Sequence, residues 1–271
     1  MTNFGEWGGQ VGDVWAQEWQ RTDRSFTVLN SRLFPMIAAM APATGRVIDI
    51  GCGAAETAIS LAEAKPGLSI TGIDISPSLL EIARSRAQGT ANIDFVLGDA
   101  AAQSTRHRPV DLYFSRHGVM FFDDPLAAFT AFRQAASAEG RLIFSCFRDW
   151  SLNGFAYEIG KLNDDAAPTD APGPFAFASQ DKVAAILAAS GWRDAEAIAV
   201  DCDYIAGQGE DPVGDAMSFM QRIGPAARAI RLADQERRPA IVNGLRRICE
   251  DHRQGDYVLF PAAMWIWTAR V

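Results

Sequence analysis

Three successive apolar runs early in the chain each end close to a carboxylate: Asp49 in "VIDIGCGAAETA", Asp74 in "TGIDIS" and Asp99 in "FVLGDA". The first run leads into Gly51-Cys52-Gly53, a Gly-x-Gly loop that lets a ligand approach the backbone closely at the start of a helix. In a dinucleotide site such a loop takes a pyrophosphate. Here Asp49 beside it would repel one, and Glu56 stands where a dinucleotide fold places its third glycine. An acid at the end of a second strand can accept hydrogen bonds from two ribose hydroxyls, which suits Asp74. Asp99 with Ala100 could meet the amino edge of an adenine.

A phosphate-free, cationic adenosine derivative satisfies all three acids. S-adenosyl-L-methionine (SAM) carries an ammonium, a carboxylate and a sulfonium on an adenosine, and the chemistry it brings is methyl transfer, leaving S-adenosyl-L-homocysteine (SAH). The only base candidate is His117, past the end of a fourth apolar run, "DLYFSR". A neutral imidazole there could take a proton from an acceptor nucleophile; alternatively it packs or hydrogen-bonds beside the cofactor. Arg116 could hold a substrate carboxylate or phosphate, or pair with Asp123 or Asp124. Asp123-Asp124-Pro125 reads as a helix start, where acids suit the dipole. Cys52 has no neighbouring base to make a thiolate and reads as a small residue that fits the loop.

These residues need elements to hold them. From about Val14 a helical pattern runs through the N-terminal segment, 1–42, to a stop at Pro42 and Gly45. Strand-like "RVIDIG", "LSITGIDIS", "IDFVLGDA", "VDLYFSR" and "GRLIFSCF" then alternate with helical segments. The last of these helices, "DPLAAFTAFRQAASAEG", has Pro125 near its start and Gly140 past its end. This alternation predicts a mostly parallel α/β sheet covered on both faces. The core is expected over about 45–148, 179–205 and 256–271 of one domain spanning 1–271, with helical caps at about 149–178 and 207–252. "RDAEAIAVDCDY" reads as a sixth strand and "DYVLFPAAMWIWTARV" as the last, with Pro261 at a bulge or edge.

Taken together, "VIDIGCGAAETA", "GIDIS", "FVLGDA", "DLYFSRHGVMFFDDP" and "GRLIFSCF" resemble the class I SAM-dependent methyltransferases, in particular the small-molecule branch related to ubiquinone/menaquinone C-methyltransferases. The resemblance covers about 46–147. It implies a Rossmann-like, seven-stranded, mostly parallel sheet with an antiparallel last strand and helical cap insertions. It also implies that Gly51, Cys52 and Gly53 lie against the methionine part of SAM with Asp49 near its amino group. Asp74 would hold the ribose, Ile75 flank the adenine, and Asp99 with Ala100 meet its polar edge. Ser115 and Arg116 would lie near the sulfonium, and Trp19 and Arg24 of the N-terminal segment would close over the cofactor.

Composition limits the acceptor. With 25 basic against 33 acidic side chains, a formal charge of -8 disfavours nucleic acid, whose phosphates are gripped by Lys and Arg. No N/D-P-P-Y/F tetrapeptide occurs, nor a Pro-Cys pair after the fourth strand, which weighs against adenine, glutamine and cytosine-C5 methylation. The four cysteines are scattered and no metal-ligand spacing occurs. Without a leader-like start or a membrane-length apolar run, a cytoplasmic protein with no membrane insertion is expected; nothing specifies an oligomeric state. Seven tryptophans and 16 phenylalanines point to an aromatic-lined pocket for a small apolar or aromatic acceptor, with Met120, Trp150, Phe155, Phe175, Phe177, Met217 and Met220 as candidates. O- and C-methylation lead, ahead of N and S. The alternatives are a protein or RNA methyltransferase, which should show a basic or extended groove, and a protein of this fold that binds SAM without transferring methyl.

Overall fold

In the computed structural model, residues 7–162 and 171–271 are described; residues 1–6 of the expected N-terminal helical segment and 163–170 of the expected 149–178 cap lie outside them. Apolar runs become strands buried on both faces: the last four residues of β1 (Gly45–Ile50) and all but Ser69 in β2 (Leu68–Asp74) are buried, as parallel sheets covered by helices require. The remaining strands are β3 (Ile93–Leu97), β4 (Val110–Arg116), β5 (Ala136–Phe147), β6 (Arg193–Gln208), β7 (Arg253–Gln254) and β8 (Tyr257–Arg270).

The sheet runs β3-β2-β1-β4-β5-β8-β6, with the two-residue β7 paired to β8. Strands β1 to β5 pair in parallel, and β8 inserts antiparallel between β5 and β6. The antiparallel last strand expected from the sequence is present, and β7 adds a short hairpin arm. Strand order reverses between β1 and β4, so their carboxyl ends flank the crevice where open α/β sheets bind ligands. Beyond the last β5 pair, Phe147 with Met264, β8 has a long-strand partner only on its β6 side. Pro261 sits there, edge-like as expected.

Local signals explain several helix starts. Ser76, Asp124, Ser179 and Asp211 cap the helices Pro77–Arg86, Pro125–Ala135, Gln180–Ala189 and Pro212–Met220, each side chain accepting a backbone N–H. The N-terminal segment divides into Gln10–Gln17, Trp19–Ser25 and Thr27–Met40, the last burying Leu29, Leu33 and Ile37 at four-residue spacing. One boundary departs from the sequence reading. The helix expected to run up to Gly140 stops at Ala135, because Ala136 turns extended and pairs with Val110. Gly140 instead sits in the irregular start of β5, where a Cβ would come within 2.8 Å of the Ala136 side chain. A short helix, Ala100–Ser104, was not expected; Asp99 caps it by accepting from the Ala102 N–H at 2.7 Å. The 207–252 insertion forms three helices, Pro212–Met220, Gly224–Leu232 and Arg237–Asp251, and β6 runs four residues past Tyr204 before it begins.

Candidate active site

At the reversal point the loop after β1 is held from below and behind. The Gly51 and Cys52 N–H groups both donate to the Ile73 carbonyl, at 2.9 and 3.1 Å. Gly51 and Gly53 take φ of +64° and +54°, a region that glycine enters without a Cβ penalty. A Cβ on Gly51 would meet the Gly118 backbone at 3.1 Å, whereas one on Gly53 would meet nothing within 4 Å. Gly53 thus borders open space: with Gly51 and Cys52 it lines a cavity over the strand ends.

Asp74 fixes this loop. One carboxylate oxygen accepts from the Gly53 N–H at 2.8 Å and the other from the Ser76 N–H at 2.9 Å, leaving each oxygen a further lone pair toward the cavity. Burial raises its pKa, opposed by those backbone hydrogen bonds. Asp49 is 3% exposed, and no hydrogen bond to its carboxyl offsets that burial. Burial pushes its carboxyl well above the usual range; the Arg116 charge opposes this and Asp74 reinforces it. Burial also keeps the Cys52 thiol protonated, helped by Asp74 and Asp49, so it offers no nucleophile.

Asp23, Asp49, Asp74 and Asp99 line the cavity, against a single basic lining residue, Arg116. That guanidinium is already spoken for. It donates to Asp23 at 2.7 Å and to Glu56, so the pairing with Asp123 or Asp124 anticipated from the sequence is replaced by partners across the site. Asp23 also meets Arg86 at 2.9 Å, and Arg86 lies 4.1 Å over the Trp19 ring, holding that tryptophan at the cavity wall.

Of the residues singled out from the sequence, Asp49, Gly51, Cys52, Gly53, Asp74, Ile75, Asp99, Ala100, Arg116, His117, Met120 and Trp19 all line this one cavity. Others fall elsewhere. Ser115 is fully buried beneath the loop, donating to the Ile50 carbonyl at 2.6 Å and accepting from the Gly118 N–H. Arg24 turns away to Asp215 at 2.5 Å and the Ala206 carbonyl at 2.7 Å, tying the N-terminal segment to the 207–252 insertion. Phe155 stacks on Tyr204 at 4.4 Å, Phe177 packs with Phe129 and Phe144 under the sheet, and Trp150 packs on Tyr157. Phe175 lies behind the lining residue Phe147, ring centroids 5.6 Å apart. Met217 and Met220 are buried in the main hydrophobic core, on the helix Pro212–Met220. Those apolar side chains are consumed in packing small helices, which leaves none for the cavity.

The wall facing the loop is instead Trp7, Trp15, Phe26, Phe121, Phe122, Phe147 and Pro174, with Thr22, Thr57 and Leu79 also exposed to the cavity. Trp19, Thr22, Asp23 and Phe26 follow the i, i+3, i+4, i+7 spacing of one helical face, a sequence signal that could have added Thr22, Asp23 and Phe26 to Trp19.

Of the two roles open to His117, the geometry favours packing and hydrogen bonding over proton acceptance. Its ring is buried between Phe26 and Phe147, centroids 4.9 and 4.3 Å away. Burial, then the Arg116 charge, lowers its pKa to about 3, and so weak a base gains little from a proton near neutral pH.

Residues 47–140 match a family profile described as a methyltransferase domain. The fold is that of the class I SAM-dependent methyltransferases. Among curated relatives, the malonyl-[acyl-carrier protein] O-methyltransferase of Acetivibrio thermocellus is 28% identical over 117 residues, 42% of this chain and 41% of that protein. The trans-aconitate 2-methyltransferase of Streptomyces coelicolor is 39% identical over 95 residues, 34% of this chain and 30% of its own. The matches therefore span less than half the length of these relatives. Among solved structures, the YcgJ protein of Bacillus subtilis superposes with a TM-score of 0.57 at 20% identity, over 89% of this chain and 98% of that one. No helix among the described residues is long and apolar enough to cross a membrane.

The residues of this methyltransferase fold also fit a ligand that is cationic at one end and carries hydrogen-bond acceptors elsewhere: the acids Asp49, Asp74 and Asp99 suit an ammonium and hydroxyls, and the unpaired N–H groups suit acceptors. Trp7 Nε1, Thr22 Oγ1, Thr57 Oγ1 and His117 Nε2 are buried with no hydrogen-bond partner, and all four side chains line the cavity. Buried polar atoms left single beside a cavity can be completed by a bound ligand or by water.

Proposed function

We propose that the protein is a SAM-dependent methyltransferase acting on a small, apolar or aromatic organic acceptor, at oxygen or carbon, of the kind handled by the small-molecule branch to which its motifs are similar. The observation that carries this reading is the charge of the cavity. Asp49, Asp74 and Asp99 are not matched by a free cation, since Arg116 is neutralised by Asp23 and Glu56. Such a wall repels a pyrophosphate and accepts an ammonium.

SAM, when bound, supplies an electrophilic methyl group on a sulfonium. In this reading Asp49 pairs with the amino group, Gly51 and Gly53 let the methionine part approach the backbone, and Asp74 accepts from the ribose hydroxyls while holding Gly53 in place. Ile75 and Leu79 flank the adenine, and Asp99 with Ala100 meets its amino edge. Phe26, Met120, Phe121 and Phe147 keep water from the acceptor and hold it at attack distance, the main catalytic service such a site performs. With His117 buried and held neutral, this reading assigns no general base, and an acceptor already free of its proton suits the site best. The names of the relatives, one of them an O-methyltransferase, favour oxygen over carbon.

The test is calorimetry with SAM, SAH, NAD and FAD, followed by transfer of labelled methyl to small acceptors. Binding of SAM and SAH with labelling of small acceptors is expected. Binding of a nicotinamide or flavin nucleotide in their place overturns the cofactor reading. Labelling confined to protein or RNA overturns the acceptor class, and SAM binding without SAH formation on any acceptor overturns the reaction.

A further inference from the structure

His117 is fixed at every point of its length. Its backbone takes φ +61°, its N–H donates to the Ser145 carbonyl at 3.2 Å, and its ring is clamped by Phe26 and Phe147. Its Nδ1 lies 2.8 Å from Ser145 Oγ. Ser145, on β5, is fully buried, and this is the only hydrogen bond of its hydroxyl among the described residues.

The ring proton then has two possible positions. Were it on Nδ1, it would donate to Ser145 Oγ, and the serine O–H would be buried with no acceptor. With the proton on Nε2, the serine O–H donates to Nδ1 and is satisfied. The first arrangement leaves two buried groups unpaired, the serine O–H and Nε2, whereas the second leaves only the Nε2–H; each such group is costly, so the second arrangement prevails and the neutral ring carries an Nε2–H. That N–H has no partner among the described residues. It diverges from Nδ1, away from β5, in a side chain that lines the cavity.

We propose that the Nε2–H of His117 is a preset hydrogen-bond donor for a proton-free oxygen of the acceptor molecule (a carbonyl, carboxylate or enolate oxygen) and so determines acceptor specificity. This deepens the methyl-transfer reading and rests on it. The surrounding wall is apolar, formed by Phe26, Met120, Phe121, Phe122, Phe147 and Pro174. An unpaired donor in such a wall, which the Trp7 Nε1–H shares, rewards an oxygen that accepts and penalises a group that only donates, because two opposed N–H groups leave both unpaired. The charge environment keeps the ring neutral: burial and the adjacent Arg116 both disfavour the imidazolium.

The experiment uses the full chain labelled with 15N-histidine, of which there are three residues, saturated with SAH. SAH binding is measured first on the same sample, and its absence overturns the methyl-transfer reading itself. With SAH bound, long-range 15N–1H correlation is expected to show His117 as the neutral Nε2–H form from mildly acid to mildly alkaline pH, with the Ser145→Ala variant losing that preference. A wild-type Nδ1–H form, or titration of His117 in that range, overturns the proposal. Benzoate and benzamidine, planar and alike in size but opposite in hydrogen-bonding sense, then probe the acceptor side. Benzoate is expected to bind at least about 10-fold more tightly, against the general pull of an acidic protein, and the preference collapses in His117→Leu with SAH affinity retained. His117→Gln, which restores an N–H, recovers part of it. Equal binding, a preference for benzamidine, or no binding of either at millimolar concentration overturns the proposed specificity.

Discussion

The floor and the roof of the cavity are built by different means. In the floor, two of the three carboxylates are placed by backbone groups of nearby loops: Asp74 by the Gly53 and Ser76 N–H groups, Asp99 by the Ala102 N–H it caps. In the roof, the Trp19–Ser25 helix is placed by ion pairs that span most of the chain. Asp23 reaches Arg86 and Arg116, Arg21 and Arg24 reach Asp215, and Glu18 reaches Arg222. The floor is local and backbone-bonded; the roof is long-range and charge-bonded. Substitutions in the roof should therefore register first as lost stability, and substitutions in the floor as lost ligand affinity.

The largest expected effect breaks the roof. Asp23→Ala leaves Arg86 without its carboxylate and Arg116 with Glu56 alone, in a setting where Asp23, Arg116 and Arg86 side chains are only 14%, 15% and 22% exposed. Removing one partner of a largely buried ion pair strands the other charge, which puts the loss at about 2–3 kcal/mol in chemical denaturation. The double variant Asp23→Ala/Arg116→Met should regain part of it. A loss under about 0.5 kcal/mol, the scale of an exposed pair, would mean that the roof is held by its aromatics and not by charge.

A smaller effect, confined to binding, is expected in the floor. Asp74→Ala should weaken SAM by about 1–3 kcal/mol, because ribose hydroxyls lose a charged acceptor and Gly53 loses its anchor. Calorimetry checks it, with a denaturation curve as control. Unchanged affinity beside a large stability loss would reverse the assignment of floor and roof.

The same division explains what could be read from the sequence. Asp49, Asp74 and Asp99 stand at the ends of apolar runs, so finding the strands also found the acids, and all three line the cavity. The four-residue rhythm of Leu29, Leu33 and Ile37 likewise announces its helix. Roof and caps were less legible because aromatic content cannot say which side of a small helix faces a cavity. Trp7, Trp15 and Phe26 face it, while Trp150, Phe155, Phe177, Met217 and Met220 are used up in packing. Arg24 and Arg116 show the matching problem with charge: their partners lie on distant elements that no spacing rule connects. Gly140 misled for a different reason. It looks like a helix stop, yet strand pairing by Ala136 ends the helix first.

The smallest expected effect sharpens the comparison by titrating the floor alone. Asp49 is pushed well above the ordinary carboxylate range, chiefly by burial, with no hydrogen bond to offset it. A group whose pKa is raised in the free protein holds its proton over a window reaching up from the usual value. An ammonium placed beside it favours the ionised form and lowers that pKa. SAM binding within the window should therefore release a proton, and affinity should rise with pH by at most about 1.4 kcal/mol per pH unit, the limit for one linked proton. The direction separates Asp49 from His117, whose lowered pKa leaves it neutral throughout and contributes no proton near neutral pH. Calorimetry in buffers of different ionisation enthalpy reads the proton directly: its release in the wild type and its absence in Asp49→Asn place the ammonium at Asp49. Release that persists in Asp49→Asn would move the titrating group to Asp74, whose pKa is also raised but which the backbone N–H groups of Ser76, Gly53 and Ile75 hold closer to its ordinary value.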